Sequence, residues 1–250
     1  MRLALILLLA AAPALAQETY DPSLDPKRYD GCIRAIEADA KKVEEFATEW
    51  QALGGGLPAR HCLALAQLRQ GNNAAAAQTL VKAAEAAEAQ KSPMAADFWG
   101  QAGNAALLAG DAKGAVSHFG SGLIAAGEFA PQRSAELLVD RARAHTELAD
   151  LKSARADLDQ ALKRNGKDAT AWLLSAALAR RAQDLPRAQA DIARAAELAP
   201  TDADILFEQG NIAGTSGDTA AARAHWQQAA KAEGTQAATL AKQALAANPD

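Results

Sequence analysis

Aromatic residues are few in this chain, with four Trp, two Tyr and five Phe among 250 residues. Alanine dominates instead; it is the best helix former and lets helices approach closely. Basic excess is also missing: the formal net charge is −4. Phosphate binding needs a concentrated basic face, so nucleic acid is not the expected partner. Long apolar runs are missing too. The one candidate, Leu3 to Ala12, is too short to span a bilayer as a stable helix, so no membrane span is expected. There are only two cysteines, and they form no CxxC pair, which leaves little basis for redox chemistry. No nucleophile motif, phosphate loop or paired metal spacing occurs. Gly54-Gly55-Gly56 lacks a following Lys-Ser/Thr and reads as a helix break. The expectation is no catalysis, no cofactor and no metal.

What is there is a repeat. Ala176, Ala188 and Ala195 recur as Ala142, Ala154 and Ala161 at 34 residues before, and as Gly210, Ala222 and Ala229 at 34 after. Two earlier sets keep the internal spacing: Gly103, Ala115, Gly122 and Ala64, Ala76, Ala83. Four residues beyond the middle member stands a bulky apolar residue each time: Leu80, Phe119, Leu158, Ile192, Trp226. A period of this length predicts stacked helical hairpins, each burying its apolar face against the next.

These units resemble tetratricopeptide repeats. That family has small residues at positions 8, 20 and 27 of a 34-residue helix-turn-helix, an aromatic at 4 and proline at 32. Ala169 to Asp202 fits best, with Trp172 at position 4 and Pro200 at position 32. The family's usual tyrosine at position 11 is replaced by Gln67, Ala106, His145, Ala179 and Ala213. The resemblance implies an all-α, right-handed α-solenoid whose arrays bind other proteins. The register also scatters His61, His118, His145 and His225 over four units, too far apart to share a metal.

The first sixteen residues read as a secretory signal peptide. Met1-Arg2 gives the positive start, and Ala14-Leu15-Ala16 gives a cleavage site before Gln17. An uncleaved membrane anchor is the alternative. No Cys follows the cleavage site, so a lipid anchor is not indicated. With the similarity to exported bacterial repeat proteins, the expected location is the periplasm. Residues 17–29, with Pro22 and Pro26, read as an extended leader. Residues 30–56 form a capping hairpin, with helices over Asp30 to Ala38 and Ala40 to Leu53. Five repeats fill 57–236, the third spanning Ala135 to Asp168. A final helix, Thr235 to Ala246, covers the open end, so that 237–250 is cap and tail.

In an oxidising compartment two cysteines suggest a disulfide. First helices of neighbouring hairpins run side by side in the resembled fold. Cys32 and Cys62 each lie near the start of such a helix, so a Cys32–Cys62 bond is expected. Two buried thiols or a redox pair are the alternatives.

In such superhelices the first helix of each hairpin lines a concave groove, chiefly through positions 2, 5, 9, 12 and 13. That set here includes His61, Arg69, Asn104, Val139, Arg143, Glu147, Leu173, Arg180, Arg181, Phe207 and Asn211. Arg143, Arg180 and Arg181 stand out, because guanidinium groups hold carboxylates at two points. Asn104 and Asn211 add groups able to pair with a peptide backbone. The expected partner is therefore a protein or peptide, with an acidic or extended segment. The family's carboxylate-clamp ligand is not expected, since Gly100 and Asp140 depart from that pattern. A specific envelope scaffold is the first functional reading. A holding chaperone using Leu65, Leu173 and Phe207, an enzyme with an unseen site, and self-association are the others.

Overall fold

The computed structural model describes residues 20–128 and 130–249. The signal-peptide reading of residues 1–16 lies outside them, as does the start of the leader. Twelve helices follow one another among the described residues: α1 (Asp25–Ala52), α2 (Gly56–Arg69), α3 (Asn73–Ala89), α4 (Ala95–Leu108), α5 (Ala112–Ala126), α6 (Pro131–Glu147), α7 (Leu151–Arg164), α8 (Ala169–Arg181), α9 (Leu185–Leu198), α10 (Ala203–Thr215), α11 (Thr219–Ala229) and α12 (Gln236–Ala247). Each helix packs on its successor, and first helices also meet directly, α4 on α6 and α8 on α10. The architecture is an all-α solenoid, and none of its described helices is long and apolar enough to cross a membrane.

The expectation of an extended leader through residue 29 is corrected. Pro22–Leu24 form a single 3-10 turn and α1 begins at Asp25. Pro26 sits in the first turn of α1, where its missing N–H has no intrahelical partner to lose. α1 is itself two helices broken at Asp39, whose backbone is non-helical (φ −156°, ψ 78°). Asp39 Oδ1 accepts from Lys42 N at 3.1 Å and so caps the second half. The halves fold back on each other: Trp50 Nε1 donates to Asp25 Oδ1 at 3.0 Å. A straight helix would hold those residues about 37 Å apart. Cys32 and Cys62 are joined by a disulfide with Cα atoms 6.1 Å apart, which ties this hairpin to α2.

Close packing follows from the small residues. Ala142, Ala154, Ala161, Ala176, Ala188 and Ala195 are all buried. A Cβ added to Gly103 would stand 2.5 Å from the Phe119 ring, and one added to Gly210 would stand 2.4 Å from Trp226. The bulky residue of each second helix therefore occupies space that the small residue of the first helix leaves open. Three of the positions that lack the family's tyrosine make contacts of other kinds. Trp226 fills the gap beside Ala213, and buried Gln67 accepts from Thr79 Oγ1 at 2.9 Å. His145 faces the carboxylate of Asp157, its Nε2 3.8 Å away.

Asp residues start most second helices. Asp111, Asp150, Asp184 and Asp218 each accept from a backbone N–H three residues on. The residue before each has positive φ: Gly110, Ala149, Gln183 and Gly217. The N–H of the Asp then reaches back to the carbonyl five residues earlier, as in Asp150 N to His145 O at 2.9 Å. Left-handed backbone disfavours any side chain, so two of these four turns carry strain that glycine would relieve. Ala149→Gly is expected to raise the unfolding free energy by about 1 kcal/mol, read from the urea midpoint. An unchanged or lower midpoint would contradict this account of the turn.

One boundary differs in the middle of the chain. α6 starts at Pro131, four residues before the expected Ala135, because Pro131 serves as a first-turn residue. Inside this third hairpin Asp157 is 3 % exposed, yet both of its oxygens are satisfied. Arg141 Nε and Nη2 donate to its two oxygens at 2.8 and 2.7 Å. The next unit repeats the device with different chemistry. Ser175 Oγ donates to buried Asp191 and accepts from Arg155 Nη1 at 2.7 Å.

Candidate functional site

The first helices α4, α6 and α8 bring their C-terminal halves to one face, where a channel crosses all three. Its two lobes, of about 660 and 220 Å³, share Arg143, Glu147 and Leu174 in their linings. The larger lobe adds Leu107, Leu108, Lys113 and Leu148; the smaller adds Thr146, Ala177 and Arg181. Leu108 is 67 % exposed and Leu148 38 %, and with Leu107 and Leu174 they put four leucines in the lining of one lobe.

The residues expected to line a groove divide into three groups. Arg143 and Arg181 line the same lobe. Arg143 is held on one side by Asp140, at 2.7 Å, and Asn104 Nδ2 lies 3.4 Å from the other oxygen of that carboxylate. Burial pushes the Asp140 carboxyl above the usual range, against the pull of Arg143 and Asn104. Arg181 is exposed and forms no ion pair among the described residues.

Arg180 and Asn211 lie elsewhere. Arg180 donates from Nε and Nη2 to the two oxygens of Glu208, at 2.6 and 3.1 Å. Asn211 donates to Glu208 Oε2 at 3.0 Å and accepts from Trp226 Nε1 at 3.1 Å. Glu208 is buried, so this network locks α8 to α10 and α11. The expected cluster of three arginines is therefore corrected: Arg180 already has its carboxylate. Both Arg180 and Asn211 border a separate cavity of about 850 Å³, closed at one side by the tail residues Asn248 and Pro249.

Leu173 and Phe207 belong mainly to packing. Leu173 leans on the cluster around Ala176 and Ile205, and Phe207 on Ala222 and Trp226. Val139 is wholly core, at 5 % exposure, which corrects its place in the groove set. Arg69 pairs with Glu37 at 2.8 Å. The register missed Leu107 and Leu108, although they occupy positions 12 and 13 of the second hairpin and that rule covers them. Lys113 and Leu148 lie in or beside the turns, where no position rule reaches.

A second site-like feature lies where α1, α2 and α4 meet. A cavity of about 240 Å³ is lined by Pro26, Tyr29, Leu57, Pro58, His61, Met94 and Phe98, with Asp25 at its edge. His61 bridges two units: Nδ1 lies 2.7 Å from Tyr29 Oη and Nε2 2.9 Å from Gln101 Oε1. Phe98 meets the imidazole edge-on. Burial lowers the His61 pKa, with a smaller opposing effect from Gln101. His118, stacked on Trp99, is lowered for the same reason. The folded state thus favours the neutral imidazoles. Acidification through the ordinary histidine range, near 6.5, protonates the unfolded chain first and removes stability. The urea midpoint is expected to fall from pH 7.5 to pH 5.5, and to fall less in His61→Gln. An equal fall in that variant would contradict the assignment.

Among the described residues no group of three or more His, Cys, Asp and Glu could hold a metal ion. The one hydroxyl in the channel lining, Thr146, donates to its own helix at Ala142 O.

No family model matches the sequence, and no curated protein does either. Solved structures do match in fold. YrrB, described as a TPR protein with an unusual peptide-binding site, is 20 % identical. That alignment covers 80 % of this chain and 96 % of YrrB, with a TM-score of 0.54. PilF of Pseudomonas aeruginosa is 14 % identical over 89 % of this chain and 98 % of its own, at 0.64. BtubC of P. vanneervenii is 15 % identical over 90 % and 94 %, at 0.63. By the order, pairing and close contacts of its helices, this chain has the fold of the tetratricopeptide-repeat proteins, an array of stacked helical hairpins.

Proposed function

We propose that the protein is an exported, periplasmic scaffold that holds a protein partner in the channel across α4, α6 and α8, without catalysing a reaction. One observation carries this reading. The channel touches three successive first helices, and it mixes exposed leucine with unpaired cationic side chains. That mixture suits a chain segment more than a reacting small molecule, which calls for a closed pocket with convergent titratable groups. The peptide-binding site named for YrrB supports the same use of the fold. Export rests on the leader sequence, and the disulfide agrees with an oxidising compartment.

The test is crosslinking in intact cells. A photoreactive residue at Leu108 is expected to capture a defined partner that the same residue at Ile124 does not. Ile124 is 83 % exposed on a second helix and lines none of the cavities described. Equal capture at both places, or none at Leu108, would defeat the proposal. Fractionation should place the chain, beginning at Gln17, in the periplasm.

The exposure of Leu108 and Leu148 also favours a second reading, a holding chaperone. Suppressed aggregation of several unrelated unfolded proteins, lost in Leu108→Ser, separates it from the specific scaffold.

A further inference from the structure

We infer that the channel recognises a segment in which an acidic side chain lies within two residues of an aliphatic one. The inference rests on the scaffold reading and names the chemistry of its partner. Charge in the lining is decided by which groups already have partners. Asp111 accepts from Gly114 N as a helix cap and is held there. Arg180, which sequence alone would add to the channel, is neutralised by Glu208. Arg143 is paired on one side only. Lys113 and Arg181 are exposed, form no ion pair among the described residues, and belong to different lobes. An entering carboxylate therefore meets the free guanidinium of Arg181 or the free ammonium of Lys113, while the lining's own acids are Asp111, held as a cap, and Glu147.

The apolar half is equally definite. Leu107, Leu108, Leu148 and Leu174 lie in the lobe that holds Lys113 and Arg143. A leucine-sized side chain seated among them covers the exposed faces of Leu108 and Leu148, and apolar area removed from water is the main favourable term in such contacts. Glu147, common to both lobes, forms no ion pair among the described residues. It is placed to accept backbone N–H groups from an extended segment.

The probe is a displayed library of random linear dodecapeptides, selected against the whole mature chain with its disulfide intact. Enriched sequences are expected to carry Asp or Glu within two residues of Leu, Ile, Val or Met. The variant K113E with R181E changes two exposed side chains, and circular dichroism verifies its fold. It should lose the acidic enrichment and bind the selected peptides about tenfold more weakly, or worse still. L108S with L148S should weaken the same peptides while keeping their preference for an acid over its amide. Enrichment of basic or purely apolar sequences, no enrichment, or enrichment unmoved by charge reversal would each overturn the inference. Partner capture at Leu108 with a failed selection leaves the scaffold standing and removes only this ligand chemistry. A loss of capture at Leu108 removes the scaffold itself.

Discussion

Arg141→Ala is expected to lower the unfolding free energy by about 3 kcal/mol, the largest effect of any single side chain described here. Asp157 is 3 % exposed, and both of its oxygens accept from the Arg141 guanidinium. Truncating the arginine leaves a buried carboxylate with its desolvation uncompensated, which costs far more than the pair contributes net. His145 does not replace it, since its Nε2 lies 3.8 Å from the carboxylate, beyond hydrogen-bonding distance. The same logic predicts a contrast. Replacing both partners, R141L with D157L, should leave stability within about 1 kcal/mol of the parent, because no buried charge remains. Urea denaturation of the three proteins decides the matter. If the single variant loses no more than the double, the pair is not buried as described. Hydrogen exchange should localise the loss to α6 and α7 first, since each hairpin of an array depends on its own contacts and those of its neighbours.

Removing the disulfide should be nearly as damaging, at about 2–4 kcal/mol. The bond closes a separation of 30 residues and joins α1 to α2 through two buried sulfurs. Its place matters more than its loop length. Among the described residues the α1 hairpin has a neighbour on one side only, so a covalent link there adds to the single interface it has. Cys32→Ala with Cys62→Ala removes the bond without leaving buried hydroxyls. In that variant, protection of backbone amides should fall in α1 and α2 and stay near normal in α8 to α11. A uniform loss along the chain would show that the array unfolds as one unit, and no loss would show that the hairpin docks without its staple.

The sequence carried the fold because the fold is local and periodic. Alanine and glycine at a fixed offset mark where helices touch, and the bulky residue four places on marks what fills the gap. Gly103 with Phe119 and Gly210 with Trp226 show the pairing in its plainest form. The aspartates that open the second helices are equally local, each acting within three residues of its own position. The leader was harder to read. Proline looks like a breaker until its place in the helix is known, and Pro26 and Pro131 both sit in first turns. The break at Asp39 and the return of Trp50 to Asp25 restore the expected hairpin, with a start five residues earlier.

The candidate site was only half legible, and for a physical reason. Position in a repeat fixes which helix a side chain leaves from and which face it leaves on. It does not fix what the side chain meets. Arg180 and Arg181 are adjacent in sequence, yet one is clasped by Glu208 of the next hairpin and the other is unpaired. Likewise, Val139 obeys the groove rule and is core, while Leu148 lies outside the rule and faces the channel. Helix periodicity, capping and close contact of small residues are properties of neighbours along the chain, and the sequence alone determined them. Which charges are cancelled, and so which remain to greet a partner, depends on residues dozens of positions apart meeting at hydrogen-bond distance. Only the tertiary structure decided that, because Coulomb and hydrogen-bond energies change over fractions of an ångström that a 34-residue register cannot specify.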